Sequence, residues 1–569
     1  MCVTASGKAR GELQSEGRIR ALAICKGRPN AGLEPNMSEA KTMTRRQFVE
    51  RVAQAGGFDA AYHTMHALGM LSESTYRPLK LQGQGNGKRV VILGAGLAGL
   101  VAAYELTKLG YSCQILEART RPGGRCWTVR GGDAETEVTG ARQVCEFDEG
   151  LFYNPGPSRI PYHHRGVLSY CKEFGVELEV VVNFNSGAYF YNENVGPLSS
   201  QAVPQRQALA DMRGYAAELL AKAVGQNALD DQLSQEDRDR LIAHLKVYGD
   251  LPENLIYKGT PRRGYRVPPG AGTQAGEIGP PHSLGVLLES GFWKYFHTLW
   301  AYNEQMVMLT PVHGMDRIAY AFADRVGRFI RYGAEVRAIR RTPSGVRIVY
   351  HDTQTQQMAE ATGDYCICTI PLSVLSSIPG DYLPGMANAI KNVSYGTGVR
   401  IGLQFKRRFW EEDEAIYGGI TWTSQIIQQM LYPAHGLQTQ KGVLLAAYPF
   451  GTRAYHIAGM TPQQRIEATL AAGEKIHPQY RAEYENGFSV PWHLIRYNLG
   501  CYTAYSELAR ETFYPILNQT DGHIFLAGEH MSYLIGWQEG SILSGMEVVE
   551  KVHEHAQANA TPGAVEGRG

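Results

Sequence analysis

The chain has 569 residues, 44% hydrophobic and 20% charged, and 56 Lys and Arg against 55 Asp and Glu leave a formal net charge of +1. That length allows two or more domains around a large core, and the charge balance, with no long run of one sign, leaves no footprint for nucleic acid or an anionic membrane. No uninterrupted apolar run reaches the roughly 18 residues of a spanning helix, and the nine cysteines form no CxxC pair or Cys/His cluster, which argues against a disulfide framework and a zinc site.

Residues 1–43 carry no hydrophobic pattern and read as a disordered leader, with Met37 and Met43 as candidate starts. Residues 44–87 read as a leading helix and linker. Within them TRRQFV is similar to a twin-arginine export signal, but Asp59, His63 and His66 interrupt the apolar stretch such a signal needs. The expectation is a helix packed on the domain and a cytoplasmic location, with twin-arginine export as the alternative.

The next stretch is KRVVILGAGLAGLVAAYELTKLGYSCQILEA. A short apolar strand, Val90 to Leu93, leads into GxGxxG at Gly94, Gly96 and Gly99. A helix from Leu100 to Leu109 and a second strand, Ser112 to Leu116, follow, closed by Glu117. Gly94 allows a tight turn, Gly96 lets the backbone approach a pyrophosphate, and Gly99 lets helix and strand pack closely. The helix N-terminus favours phosphate charge. Glu117, 18 residues beyond Gly99, stands where a carboxylate accepts from ribose hydroxyls. In that order these features predict dinucleotide binding.

YNPGPSRIPYHH, residues 153–164, sets Arg159 in a bend stiffened by Pro and Gly, ahead of a helix-like segment. Such a bend aims a side chain, and the stretch alone leaves open whether its target is structural or chemical. Residues 166–302 hold helical stretches such as RQALADMRGYAAELLAKAV and a loop rich in Gly and Pro, PRRGYRVPPGAGTQAGEIGPP, placed to border an entrance. Residues 303–371 read as helix, strand AEVRAIRRT, hairpin partner GVRIVYHDT and strand DYCICTIP, with Cys366 and Cys368 as core thiols. VRIGLQF and VLLAAYPF predict strands within 372–490. Near the end, a strand from Ile524 to Ala527 leads to Gly528 and Glu529. Gly536 and Trp537 then precede a helix containing Gly540, Ser541 and Gly545, and a polar tail, 557–569, reads as disordered.

EAR followed by GGR, together with the closing GEH…GW stretch, resembles the flavin amine oxidase family over roughly residues 88–555. The resemblance implies an α/β fold with a discontinuous, Rossmann-like FAD-binding domain built from 88–165, 303–371 and 491–556. A helical domain, 166–302, and a mixed-sheet substrate domain, 372–490, complete it. It also implies FAD contacts from Gly94, Gly96, Gly99, Glu117, Ala118, Arg119, Gly123, Gly124 and Arg125, and from the bend at Gly156, Pro157, Ser158 and Arg159. Further contacts would come from the Val336 backbone, Trp492, Gly528, Glu529, Gly536, Trp537 and Ser541.

Within that family GPSRIP is similar to the GPxRxP of L-amino acid oxidases, whose arginine grips the substrate α-carboxylate. A planar guanidinium fork matches two carboxylate oxygens. The resemblance implies that Arg159 and Tyr448 hold the carboxylate, that Phe450 touches the substrate side chain, and that Tyr502, Gly536 and Trp537 wall the reacting carbon. Arg142 is a competing arginine expected to pair structurally, and His163 and His164 are expected to pack or to support the site.

Two residues depart from the subgroup. Cys501, in GCYT, matches the monoamine oxidase cysteine bonded to flavin, although non-covalent FAD is the expectation here. Arg400 falls where many relatives carry a lysine holding a water near flavin N5. The implied reaction is oxidation of L-amino acids to 2-oxo acids with ammonia and hydrogen peroxide, by hydride transfer from Cα to N5 and without a side-chain base. Alternatives are a monoamine or polyamine oxidase, an amino acid 2-monooxygenase giving an amide, and a flavin-binding protein without oxidase activity. A homodimer or higher homo-oligomer is expected, with no metal. Phe450, Tyr502 and Trp537 suggest apolar or aromatic substrates, whereas an acid or amide from the helical region would select a basic one.

Overall fold

The computed structural model describes residues 78–226 and 232–560. The expectations for 1–43, for most of 44–87 and for most of the tail lie outside those residues.

Five parallel strands form the first sheet, in the order Ile330–Tyr332, Ser112–Glu117, Arg89–Leu93, Tyr365–Cys368, Ile524–Leu526. Parallel neighbours need long crossovers. The first is the helix Leu97–Lys108, while the other strands arrive from much later in the chain, so the sheet is discontinuous in sequence. Helices cover it, which is why Val90, Ile92, Leu93 and Ile115 are fully buried in near-continuous apolar runs. Cys366 and Cys368 are buried core thiols of the central part of this sheet.

The last helix, Gln538–Ala560, lies against Leu97–Lys108. A Cβ at Gly545 would stand 2.7 Å from the Ala98 carbonyl oxygen, so only glycine permits that approach. This helix enters the expected disordered tail by four residues, 557–560, and Gln557 Nε2 donates to the Gln84 carbonyl (3.0 Å). Among the described residues no helix is long and apolar enough to cross a membrane.

A separate antiparallel sheet has three strands, Ala334–Thr342, Gly345–Asp352 and Gln357–Gly363, the first two of which pair as the expected hairpin. The other large sheet has seven strands, in the order Tyr484–Pro491, Val399–Phe405, Gly442–Ala447, Gln429–Leu431, Ile420–Thr423, Tyr189–Tyr191, Val203–Pro204. Its last two strands correct the helical reading of 166–302. That stretch mixes helices, such as Gln205–Gly225 and Gln235–Gly249, with strands. The aromatic triplet Tyr189–Tyr191 is extended because Phe190 stacks on Phe292 and Tyr295 (ring centroids 5.6 and 5.8 Å), a tertiary contact that no local pattern signals. Arg465 stands on the helix Pro462–Gly473, which packs against the seven-stranded sheet, and it is paired with Glu137, next to the short strand Ala134–Thr136. Its Nη2 donates to Glu137 Oε2 (2.9 Å), with both side chains 1% exposed.

Candidate active site

The carboxyl ends of the parallel strands face a cavity of about 890 Å³ that runs on between the two large sheets. In open α/β sheets ligands bind at that edge. Three clusters of residues line it.

The first is at the end of strand Ser112–Glu117. Glu117 is buried and its carboxylate is fixed by backbone donors, Ala95 N to Oε2 (2.7 Å) and Arg119 N to Oε1 (2.8 Å). Arg119 donates to Glu135 (3.0 Å) and Asn498 (2.8 Å). Ala118 and Val336 line the same region, and the ladder register shifts between Val336 and Ala338. The bulge interrupts pairing beside the cavity, where a backbone group can turn to a ligand.

The second cluster is a backbone cradle. A Cβ added at Gly96 would meet nothing within 4 Å, and one at Gly124 would meet only the Gly96 Cα at 3.7 Å, so both face open space. Gly94 and Gly123 serve the turns instead, with φ of +103° and +95°. Gly99 lies off the cavity: its Cβ would be 2.1 Å from the Gly94 oxygen, so its part is close packing rather than ligand contact. Gly156 likewise lets the bend approach the Arg125 carbonyl, which a Cβ would reach at 2.0 Å. Pro157, Ser158, Gly528 and Ser541 complete this lining.

Arg125 Nη1 donates to Glu529 Oε1 (2.8 Å) and to the Cys501 carbonyl (3.0 Å). Glu529 Oε1 also accepts from Thr503 N and Oγ1 (3.0 and 2.9 Å). Burial alone would raise the Glu529 carboxyl, but the Arg125 guanidinium holds it below the usual range. The sequence-predicted pair of anchors is therefore joined in one network. Gln538 is 3% exposed at the start of the last helix, and among the described residues neither of its side-chain polar atoms has a hydrogen-bond partner. An unpartnered amide at a helix N-terminus beside an open glycine cradle suits a ligand rich in acceptors.

The third cluster has aromatic walls. Tyr448 and Phe450 pack at 5.2 Å between ring centroids, and Phe450 meets Tyr502 at 5.8 Å, edge to face. Trp537 also lines the cavity, with the buried His164 edge-on to it at 5.1 Å. Trp492 is buried and anchored, its Nε1 donating to the Pro155 carbonyl (2.8 Å). Burial lowers His164 to about 4, and neither His163 nor His164 lines the cavity. His163 instead clamps the neighbouring segment: its Nε2 meets Asn303 Oδ1 (2.9 Å), and Gln305 Nε2 donates to its Nδ1 (2.8 Å). Arg142 is exposed in strand Arg142–Val144 and does not line the cavity.

Arg159 is turned into this cluster, 9% exposed, and already has an anionic partner there. Its Nη2 donates to both oxygens of Glu304, each at 3.0 Å, while its buried Nε has no partner among the described residues. Arg400 is the second guanidinium. It is 2% exposed, its carbon lies 3.2 Å from the Tyr448 ring centroid, and it donates to the Val399 carbonyl (2.8 Å). Burial, with a smaller push from the neighbouring Arg159, lowers its pKa to about 10. Glu304, Gln538, Trp422 and Gln429 line the cavity without having been singled out by sequence. Glu304 sits in AYNEQM, a segment with no periodicity or motif, so no local signal pointed to it.

Residues 97–553 match the family described as flavin containing amine oxidoreductase, and the chain belongs to that family. It is 26% identical to the L-amino-acid oxidase of Gloydius blomhoffii, over 84% of this chain and 91% of that one. It is also 26% identical to the L-amino-acid oxidase of Daboia russelii, over 83% and 90%. Among solved structures the fold is similar to a putrescine oxidase bound to putrescine (TM-score 0.54, 18% identity, 82% of this chain and 98% of that one). It is similar too to cyclohexylamine oxidase from Brevibacterium oxydans IH-35A (TM-score 0.55, 17% identity, 83% and 100%). The family implies a flavin cofactor, and the glycine cradle, the unpartnered Gln538 and the fixed Glu117 carboxylate fit one.

Proposed function

We propose that the protein is an FAD-dependent L-amino acid oxidase, producing 2-oxo acids, ammonia and hydrogen peroxide. The observation that carries this reading is the charge balance of the aromatic cluster: two guanidinium groups, Arg159 and Arg400, stand against one carboxylate, Glu304. A buried cation without a counter-ion is costly, and a substrate α-carboxylate supplies the missing charge.

Glu117 would hold the ribose of FAD, the Gly96 and Gly124 backbones would meet its pyrophosphate, and Gln538 would donate or accept at its remaining polar edge. When bound, FAD supplies a two-electron acceptor for the hydride on the substrate Cα and passes the electrons on to oxygen. The chain's part is placement. Arg159 grips the carboxylate, Tyr448 is held in position by the Arg400 guanidinium stacked on its ring, and Phe450, Tyr502 and Trp537 exclude water and fix the approach of the amine. Among the described residues no imidazole lines this cluster, and an amine that enters in its neutral form would need no side-chain base.

A second reading, an amine oxidase, is favoured by one observation: Glu304 already neutralises Arg159, so a substrate without a carboxylate leaves that pair intact. A peroxide assay comparing an L-amino acid with its decarboxylated amine decides between them. The amino acid is expected to be favoured by about 100-fold in kcat/KM, on the order of 3 kcal/mol for a charged hydrogen-bonded pair. Equal turnover of both would overturn the carboxylate reading. Arg159→Met should remove that preference while the bound flavin absorbance persists.

A further inference from the structure

Trp537 and Gln538 line the cavity, whereas Glu539, the next residue, does not. Glu539 is 2% exposed in the first turn of the last helix. Its carboxylate accepts from the start of another helix, Arg165–Phe174, with Gly166 N on Oε1 and Val167 N on Oε2, both at 2.8 Å. That helix has no side-chain cap from His164, the residue before it, so Glu539 supplies the acceptors its first-turn N–H groups lack. No cation pairs with Glu539 among the described residues, and burial raises its pKa, with the two backbone donors offsetting part of the shift. A carboxylate buried without a cation is costly. The approach is also close: a Cβ at Gly166 would stand 3.0 Å from Glu539 Oε2.

The two segments joined here carry separate walls of the aromatic cluster. Trp537 stands two residues before Glu539, and Arg159 stands seven residues before Gly166, on the bend that runs into the capped helix. Between them the His164 amide donates to the Pro161 carbonyl (3.0 Å), and the His164 ring meets Trp537 edge-on at 5.1 Å. The bend is fixed a second time at Ile160, whose N donates to the Leu309 carbonyl (2.7 Å). That contact sets the bend on the strand Val307–Pro311, and Glu539 sets it on the last helix. Transfer from a substrate carbon needs close placement: a shift of about 1 Å costs on the order of 100-fold in rate.

We propose that Glu539 is a positioning residue: its carboxylate sets the distance between the Arg159 grip and the Trp537 wall, and so the place of the substrate α-carbon. It lies outside the cavity and acts only through the two segments it joins. This rests on the amino acid oxidase reading, in which Arg159 holds the substrate carboxylate. A substrate without a carboxylate makes no use of Arg159, so its placement does not depend on that distance.

Glu539→Gln keeps the size of the side chain but leaves one acceptor oxygen for two N–H groups. L-Phenylalanine and 2-phenylethylamine differ by the carboxylate, and the rate at which each bleaches the flavin without oxygen reads placement directly. In the variant the saturating rate with the amino acid should fall about tenfold or more, with the amine rate within about threefold of wild type and flavin content unchanged. A general loosening of the fold would lower both rates and the flavin content together. That result would overturn the proposal, and so would an amino acid rate that does not change. Gly166→Ala presses a methyl group on the same carboxylate from the facing helix and should move the two rates in the same sense, which decides the matter if Glu539→Gln does not fold. A wild type bleached equally fast by both compounds would instead overturn the amino acid reading, and this proposal with it.

Discussion

At the scale of single residues, Cys501 shows how position and reactivity separate. It lines the cavity, and its Sγ lies 3.9 Å from Arg400 Nη2. Burial raises its pKa, and the pull of Arg400 and Arg125 in the other direction does not reverse the shift. A thiol held protonated is a poor nucleophile, and we propose that the flavin is held without a bond to it. Acid or heat denaturation should release all the flavin into the supernatant, and Cys501→Ser should leave flavin content unchanged. Flavin remaining with the precipitated chain would refute this. Arg159 teaches the complementary lesson. Its stiff bend announced an aimed cation in the sequence, but its partner Glu304 comes from 145 positions away, and no local pattern connects the two.

Among elements, the glycine motif divides its work in a way that can be measured. Gly96 precedes the helix Leu97–Lys108 with φ −70° and ψ 170°, backbone angles open to any residue, and its Cβ position is empty. Gly96→Val should therefore fold with the stability of the flavin-free wild type and bind no flavin. Gly99 packs on the Gly94 carbonyl, so Gly99→Val should destabilise even the flavin-free protein, by about 1–3 kcal/mol for a forced overlap. Thermal unfolding of both apoproteins beside their flavin absorbance checks the pair, and equal losses of stability would contradict the division. The strand–glycine–helix–strand–acid order was legible because each step is local. The strands in 166–302 were not, because Tyr189–Tyr191 is extended by the sheet edge and the aromatic rings it meets.

Taken as a whole, the molecule buries histidines that do not line the cavity. His164 and His530 are at most 1% exposed, and burial lowers each to about 4. Both stay neutral in the folded state, whereas in the unfolded chain they take up protons from near pH 6.5. Their contribution to stability is therefore complete above about pH 6.5 and lost as pH falls toward about 4, at roughly 1.4 kcal/mol per pH unit for each. Urea midpoints of wild type and a His164→Gln/His530→Gln variant, followed down that window, should converge as the wild type loses its advantage. Parallel curves would show that the two groups are not held neutral.

The sequence by itself determined the nucleotide-binding start, the closing glycine–tryptophan stretch and the aromatic and cationic residues of the cavity, because turns, helix starts and strand periods follow from neighbouring residues. Only the tertiary structure decided what those residues face. It set Arg125 on Glu529, moved Gly99 out of contact range, stacked Arg400 on Tyr448 and gave Arg159 a resident carboxylate. Charge pairing across a cavity depends on which distant segments the sheets bring together, and a one-dimensional pattern does not carry that information.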